Sequence, residues 1–260
     1  MGEVSLVDVS KTFRIRVDSE MHTVNALRHV DFTIRDGEFG VLIGPSGCGK
    51  TSALRIAMGL DPASAGRVLV DQREVRGCGY DRGMVFQHAE LLPWLTALQN
   101  VMFGLEMKGV QGQQLRDTAM RYLDLVGLKD AANRRPHQLS GGMKQRVGIA
   151  RALAIDPKVL LMDEPFGALD AQTRETLQAE LLDVHARTGK TIVFVTHDLD
   201  EAVLLADRVF VMRDGALQEI IDVALPRPRG DLGLLRGSPE FATIRYEIWK
   251  ALHRPAGQIQ

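Results

Sequence analysis

The chain has 260 residues, of which 45% are hydrophobic and 25% charged, as is usual for a globular protein with enough apolar material for a core. Its 32 basic and 33 acidic residues leave a net charge of −1, which gives no overall electrostatic reason to bind nucleic acid or anionic lipid. The two cysteines, Cys48 and Cys78, lack metal-ligand spacing and do not suggest a disulfide framework, consistent with a reducing compartment.

The first residues lack the basic start and apolar run of a signal peptide. No stretch approaches the roughly 18–20 apolar residues that span a bilayer. We therefore expect the protein to serve a membrane, if at all, through a partner. Neither an internal repeat nor a low-complexity segment is visible.

The N-terminal third combines short strand-like runs with polar segments. Strands are expected over 4–9, 30–34 and 39–43, and the polar residues 14–24 indicate a loop or a hairpin. The apolar run 39–43 opens into glycines and then into a helical stretch over 51–59. Residues 66–87 resemble short strands with a turn at 77–79.

The remaining chain changes from a helical to an alternating pattern. Leu98, Met102 and Leu105 have helical spacing within a mainly helical segment over about 91–139. Two continuous apolar or β-branched runs, 159–162 and 191–195, then enclose a helical stretch over 173–186. Such an alternation favours a parallel sheet buried on both faces. From about residue 220 the chain is rich in Pro, Arg and Gly and becomes helical over 241–252.

Residues 44–51, GPSGCGKT, fit the pattern G-x-x-x-x-G-K-[ST] between a strand and a helix. Glycines let backbone N–H groups turn inward around phosphate oxygens, and the helix directs its positive N-terminus at the same anion. Lys50 would bind the β- and γ-phosphates, and the Thr51 hydroxyl would bind Mg²⁺. The expected phosphate-binding residues are Gly44, Pro45, Ser46, Gly47, Cys48, Gly49, Lys50, Thr51 and Ser52.

Further candidates follow strand-like runs. Asp163 and Glu164 end the run 159–162, where the first acid would hold Mg²⁺ and the second would polarise an attacking water. A solvated acidic turn is the alternative interpretation, and it is weakened by the phosphate loop upstream. His197 and Gln87 also end strand-like runs, at the edge where doubly wound sheets bind ligands.

Residues 139–146, LSGGMKQR, resemble the signature of ABC proteins, with Met143 in the usual place of Gln. The order of the other motifs is also similar: phosphate loop, Gln87, signature, Asp163 and Glu164, Asp170 in a GALD loop, then His197. This resemblance covers about residues 10–200. It implies an α/β P-loop NTPase fold of the ABC cassette type, with a RecA-like parallel-sheet core, an antiparallel β subdomain and an inserted α-helical subdomain.

The resemblance also implies a role for each motif. Phe13 would stack on adenine, and Gln87 would sense Mg²⁺ and the lytic water. Asp170 would link two sites, and His197 would hold the γ-phosphate. Ser140, Gly141 and Gly142 would contact ATP bound by a second subunit, so hydrolysis would need two chains. Catalysis is thus expected from Glu164, His197 and Gln87, and metal binding from Thr51, Gln87 and Asp163.

The implied organisation is a nucleotide-binding domain over 1–230, with a helical subdomain over approximately 91–150, and a short helical appendix over 231–260. The implied ligands are ATP and Mg²⁺. The implied partners are a second ATP-binding subunit, identical to the first in a homodimer, and integral membrane permease subunits. A periplasmic or extracellular solute-binding protein is an indirect partner, and no nucleic acid is expected. The protein would lie peripherally on the cytoplasmic face of the cell membrane.

Three segments resemble the nitrate, sulfonate and taurine importer group: DRGMVFQ over 81–87, LLPWLT over 91–96 and LPRPR over 225–229. Within the second, Trp94 suits either core packing or a contact with the permease's coupling helix. An exporter or lipid-trafficking ATPase is the main alternative function. A translation or DNA-repair ABC protein usually has two cassettes or a coiled-coil insertion, and a P-loop GTPase or kinase would leave the signature unexplained. The sequence does not identify the transported solute.

Overall fold

The computed structural model describes residues 2–17 and 20–254. Within them it has ten strands, and the first α-helix follows the third strand. Their bounds are β1 Val4–Val17, β2 Glu20–Ile34, β3 Phe39–Ile43, β4 Ala65–Val70, β5 Arg73–Glu74, β6 Arg82–Val85, β7 Val159–Asp163, β8 Thr191–Thr196, β9 Arg208–Arg213 and β10 Ala216–Asp222.

The described residues also form eight α-helices and two single 3₁₀ turns, at Lys129–Ala131 and Pro136–Gln138. The helices are α1 Lys50–Met58, α2 Ala97–Met107, α3 Gly112–Leu125, α4 Gly141–Ala154, α5 Ala171–Thr188, α6 Leu199–Leu205, α7 Leu232–Arg236 and α8 Pro239–His253. None of these helices is both long and apolar enough to cross a membrane.

The chain divides into two compact units, Met1–Cys78 with Thr191–Gln260, and Gly79–Lys190. The first unit contains an antiparallel sheet in the order β2-β1-β4-β5 and neighbouring strands in the order β10-β9-β3-β8. Strand β3 is parallel to both β8 and β9, whereas β10 is antiparallel to β9. Every residue of β3 and β8 is buried, as expected for parallel strands covered on both faces.

The antiparallel sheet is built on a long hairpin. The arms of β1 and β2 pair from Val4 opposite Ile34 to Val17 opposite Glu20, so the polar segment 14–24 forms a hairpin, one of its two predicted alternatives. The pairing is interrupted by irregularities near Asp8 and His29, both of which have positive φ angles. Such bulges bend a strand and increase its twist.

The second unit is mainly helical. Its two strands, β6 and β7, are parallel, with Arg82 opposite Val159 and Val85 opposite Met162. Helices α2, α3 and α4 contact one another, and α4 also contacts α5 and β6. The predicted α/β class, with a parallel core and an antiparallel sheet, is confirmed. The subdivision into 1–230, 91–150 and 231–260 stays a prediction.

Candidate nucleotide site

The phosphate loop follows a buried strand in the first unit. Strand β3 delivers the chain to Gly44, and α1 begins at Lys50 with Gly49 as its N-cap residue. Gly49 has a φ of 101° and supplies no side-chain cap to the helix. The N–H groups of the first turn of α1 therefore face the loop with no capping side chain, which suits an anion.

Glycine is required in this loop by close backbone approach. A side-chain carbon on Gly44 would overlap the Met212 carbonyl oxygen, and one on Gly49 would overlap the Ala26 carbonyl oxygen. The loop is thus held between β9 on one side and β2 on the other. With glycine at both positions the loop can turn tightly enough for its backbone N–H groups to approach a phosphate.

The charged side chain of Lys50 is buried within the loop. Lys50 is only 5% exposed, and its Nζ donates to the carbonyl oxygens of Gly44 at 2.7 Å and Pro45 at 3.0 Å. These carbonyl oxygens accept hydrogen bonds from the Lys50 ammonium but carry no negative charge to balance it. A buried positive charge of this kind favours binding of an anion in the loop. Burial raises the pKa of the neighbouring Cys48 thiol, so Cys48 is a neutral thiol at physiological pH.

His197 lies at the same edge of the sheet as the loop. Ile43, the last residue of β3, is opposite Thr196, the last residue of β8, so Gly44 and His197 follow at adjacent carboxyl ends. His197 is exposed. The turn that carries it is fixed on both sides, because Asp198 N donates to Thr196 Oγ1 at 3.0 Å, and Asp198 accepts from Glu201 N to cap α6.

Phe13 is half-buried on β1. It pairs with Val24, two residues before Ala26, whose carbonyl lies against the phosphate loop. The Lys11 ammonium lies 4.9 Å from the centre of the Phe13 ring, a cation–π contact. The register therefore sets Phe13 on the strand pair next to the loop, and its role toward adenine stays a prediction.

The second unit carries the predicted acids and Gln87. Strand β7 ends at Asp163, and the parallel register of β6 brings the chain to Gln87 at the matching end. A side-chain carbon on Gly167 would lie 3.3 Å from Gln87 Nε2 and 3.8 Å from Glu164 Oε2. Gln87 and Glu164 thus converge on the turn that is closed by the hydrogen bond from Gly167 N to Glu164 O, at 3.1 Å.

The signature forms the start of α4. Ser140 is its N-cap residue and accepts from Met143 N at 3.3 Å, and both Ser140 and Gly141 are exposed. A side-chain carbon on Gly142 would lie 2.5 Å from Thr173 Cγ2 on α5. The starts of α4 and α5 therefore touch, and Asp170 caps α5 by accepting from Thr173 N at 3.0 Å. Hydrogen bonds from Thr173 lower the pKa of the Asp170 carboxyl.

Trp94 follows Gln87 in the loop before α2, and it is 66% exposed. Core packing is therefore excluded for its side chain. The loop itself is held by Asn100, which is 0% exposed. Asn100 Oδ1 accepts from Leu92 N at 2.8 Å, and its Nδ2 donates to the Leu92 and Thr96 carbonyl oxygens.

Several residues with clear structural roles around the site were not singled out from the sequence. They are Asn100, Gln145, Arg151 and Thr173. A weak signal existed for Asn100, because it is a polar residue in a helix whose neighbours three positions away, Ala97 and Phe103, are apolar. Gln145 gave no such signal, because its corresponding neighbours are Gly142 and Gly148. Nothing in the sequence pattern distinguishes Arg151 or Thr173 from surface residues.

A phosphate loop after a buried parallel strand, together with acids at the end of another, is typical of a P-loop nucleotide-binding protein. The model of the ABC transporter family matches residues 27–167. The nitrate import ATP-binding protein NrtD of Synechocystis sp. (strain ATCC 27184 / PCC 6803 / Kazusa) is 47% identical over 232 residues, which cover 87% of each chain. The taurine import ATP-binding protein TauB of Rhizobium johnstonii is 45% identical over 236 residues, 89% of this chain and 90% of that one.

A solved structure supports the same relationship. The dimeric post-hydrolysis state of the ATP-binding cassette MJ0796, bound to ADP and Pi, is similar with a TM-score of 0.75 and 36% identity, over 85% of this chain and 98% of that one. The present chain belongs to the ABC transporter family. It is an ATP-binding subunit that hydrolyses ATP, and its ligands are ATP and Mg²⁺, as the sequence predicted.

Proposed function

We propose that two copies of this chain hold ATP between them, each copy contributing a different part of the site. The phosphate loop with Lys50 and Thr51 binds the nucleotide of one copy, and Ser140, Gly141 and Gly142 of the second copy contact its γ-phosphate. The exposed start of α4 supports this role, because uncovered N–H groups and a serine hydroxyl suit an anion. The dimeric state of the MJ0796 cassette also supports it.

Within each site, different residues of the chain have different roles in hydrolysis. Glu164 accepts a proton from the attacking water and Gln87, which converges on the same turn, orients that water. His197 holds the γ-phosphate, Phe13 stacks on adenine, and Asp170 connects the two sites through the start of α5. Gly47, Gly49 and the remaining loop residues, including Ser46, Cys48 and Ser52, bind phosphate oxygens.

The donor set fits Mg²⁺, which prefers hard oxygen ligands. Thr51 would supply a hydroxyl, Asp163 a carboxylate and Gln87 an amide oxygen. When bound, Mg²⁺ would supply positive charge that offsets the negative charge of the nucleotide's phosphates.

We further propose that the chain energises an importer of small anionic or zwitterionic solutes such as nitrate, sulfonates or taurine. The observation that carries this proposal is the identity of 45–47% to NrtD and TauB over almost the whole length of all three proteins. The exposed Trp94 supports a permease contact in the loop after Gln87, since a large exposed aromatic suits a helix docked in a groove. A solute-binding protein would act indirectly, and the chain would lie on the cytoplasmic face of the cell membrane.

Growth of the source organism tests the importer proposal. A strain lacking this chain is grown with nitrate as the sole nitrogen source, and with taurine or an alkanesulfonate as the sole sulfur source. We expect slow growth on one of these solutes, restored by the wild-type chain and not by Lys50→Ala. Normal growth on every solute would overturn the importer proposal, and export or lipid-trafficking defects would then support the main alternative.

A further inference from the structure

Gln87 is carried by a short segment that leaves the sheet after β6, and this segment is fastened to one helix. Gln145 Nε2, on α4, donates to the carbonyl oxygen of Phe86 at 3.0 Å. Arg151, two turns further along α4, donates from Nη1 to the Glu90 carbonyl oxygen and from Nη2 to the Ala89 carbonyl oxygen, each at 2.8 Å. Both ends of the segment 86–90 are thus bound by α4.

The fastening is built into one side of the helix. Positions 145, 148 and 151 are three residues apart, so they lie along one face of α4. Gln145 is only 3% exposed although it is polar, and a side-chain carbon on Gly148 would lie 3.6 Å from Ala89 Cβ. Between its two hydrogen-bonded ends the segment therefore passes so close to the helix that a methyl group at position 148 would be in van der Waals contact with Ala89.

The chemistry of Arg151 is specific to this position. One planar guanidinium spans two successive carbonyl oxygens, a geometry that a lysine ammonium does not reproduce. Glu90 has a φ of 44°, in the left-handed region that non-glycine residues rarely adopt. The bond to its carbonyl oxygen holds this turn in place. Burial lowers the pKa of Arg151 while the nearby Glu90 raises it.

The same helix begins at the signature. Ser140 is its N-cap residue, and Gln145 lies little more than one turn away from it. We propose that Gln145 and Arg151 are positioning residues, which keep the side chain of Gln87 next to that of Glu164. Because both bind the segment 86–90 to α4, this segment and the start of α4 move together. A movement of Gln87 then also moves Ser140–Gly142, the residues that contact the nucleotide bound by the second copy. This inference rests on the proposed role of Gln87 in hydrolysis.

A double-mutant cycle on the purified full-length chain tests the proposal. The variants are Arg151→Lys, Gln87→Ala and both together, with kcat and KM for ATP measured by phosphate release. Arg151→Lys should lower kcat by about tenfold, the effect expected for losing one or two net hydrogen bonds, and should leave KM within about twofold because the phosphate loop is untouched. In the Gln87→Ala background, Arg151→Lys should have no further effect on kcat.

Two additional variants separate positioning from general damage. Gln145→Met removes the other hydrogen bond without burying a charge, and it should show the same dependence on Gln87 if Arg151→Lys fails to fold. Arg187→Lys is the matched control, because Arg187 pairs on the surface of α5 with Asp183 at 3.2 Å, and it should leave kcat unchanged.

The two failures are distinguishable. If Gln87→Ala alone hydrolyses ATP at the wild-type rate, the role of Gln87 in the proposed function is wrong and the positioning proposal falls with it. If Gln87→Ala is slow but Arg151→Lys and Gln145→Met lower kcat equally with and without Gln87, only the positioning proposal is overturned. Wild-type kcat in both positioning variants would overturn it too.

Discussion

Glu164 adopts a backbone conformation that favours its proposed role as base. Its φ is 43°, in a region that is unfavourable for a residue other than glycine. Residues in this region are often found at functional sites, where the surrounding structure fixes the turn. Here the strand β7 ends just before it, and the Gly167 N–H closes the turn after it. The carboxylate is thereby directed to the same turn as Gln87.

We predict that Glu164→Gln slows the chemical step of hydrolysis by about 10²–10⁴-fold, the usual contribution of a general base. The amide keeps the shape and hydrogen bonding of the carboxylate but does not accept a proton. ATP binding should persist, because Lys50, Thr51 and Asp163 are unchanged. A stable ATP-dependent dimer should therefore accumulate, and size-exclusion chromatography with ATP and Mg²⁺ detects it.

The contrasting variant is Asp163→Asn, which should weaken Mg²⁺ and with it productive nucleotide binding, so no such dimer should form. Near wild-type hydrolysis by Glu164→Gln, with no accumulation of a dimer, would show that Glu164 is a solvated acid at a strand end. ATP binding by the phosphate loop would be unaffected by that result.

Gly142 provides a second prediction at the residue scale. A methyl group there would meet Thr173 Cγ2 at 2.5 Å, so Gly142→Ala should destabilise the protein by about 1–3 kcal/mol through overpacking. Thr173→Ser removes that carbon and should restore most of the loss in the double variant. Gly141→Ala is the matched control for stability, since its methyl group would lie at an ordinary 3.7 Å from Leu169 Cδ2. Melting temperatures are compared for wild type, Gly142→Ala, Gly141→Ala and the double variant Gly142→Ala/Thr173→Ser. The same melting temperature for Gly142→Ala and the double variant would contradict the prediction.

At the scale of elements, the end of α1 is closed by an ion pair. Gly59 is its C-cap residue in the left-handed conformation, and Arg55 Nε in the last turn donates to Asp61 Oδ2 at 2.6 Å. Hydrogen bonding from Arg55 lowers the pKa of the Asp61 carboxyl. The pair fastens the residues after the helix to its last turn.

The pH dependence of this pair follows from the sign of the shift. Because the folded pKa is below the ordinary aspartate value of about 3.9, the stabilisation is complete above that value and is lost as pH falls through the folded pKa. Asp61→Asn should therefore be less stable than wild type at pH 7, by no more than about 1 kcal/mol for so exposed a pair. Urea unfolding should show this difference narrowing below about pH 4. A difference independent of pH would contradict the assignment.

The strands that carry the phosphate loop and the catalytic candidates could be predicted, because each is a continuous apolar run that ends in polar residues. Strands β9 and β10 were not predicted, although Asp214 and Gly215 form a turn with positive φ at both residues, a strong hairpin signal. For residues 225–229 the sequence shows a family resemblance and a composition rich in Pro and Arg, but it predicts no contact. In the structure, Arg229 donates to the carbonyl oxygens of Leu204 and Ala206, and Arg227 to that of Leu205, which caps the end of α6.

The motifs of the site could be predicted because each is contiguous in sequence. The contacts that support the motifs could not. Gln145 and Phe86 are 59 residues apart in sequence, and Arg151 and Ala89 are 62 apart. Both contacts depend on how a helix packs against a loop, and hydrophobic periodicity does not record which carbonyl oxygen a buried polar side chain reaches.

At the scale of the whole molecule, the predicted site residues are distributed over both units of the chain. One unit carries the phosphate loop and His197, and the other carries Gln87, the acids and the signature. The signature residues Ser140 and Gly141 are exposed at the start of α4, which leaves them accessible to a nucleotide bound by a second copy. The central claim is therefore that one site takes its phosphate loop and its signature from different chains.

The direct measurement is ATP hydrolysis by mixed dimers of two inactive variants, Lys50→Ala and Ser140→Arg. Each variant alone has two defective sites in its homodimer. In a mixed dimer, the intact phosphate loop of the Ser140→Arg copy faces the intact signature of the Lys50→Ala copy, so one of the two sites is complete. The account predicts that hydrolysis reappears on mixing and rises with the fraction of mixed dimers. Verified mixed dimers that hydrolyse no ATP would contradict the shared site.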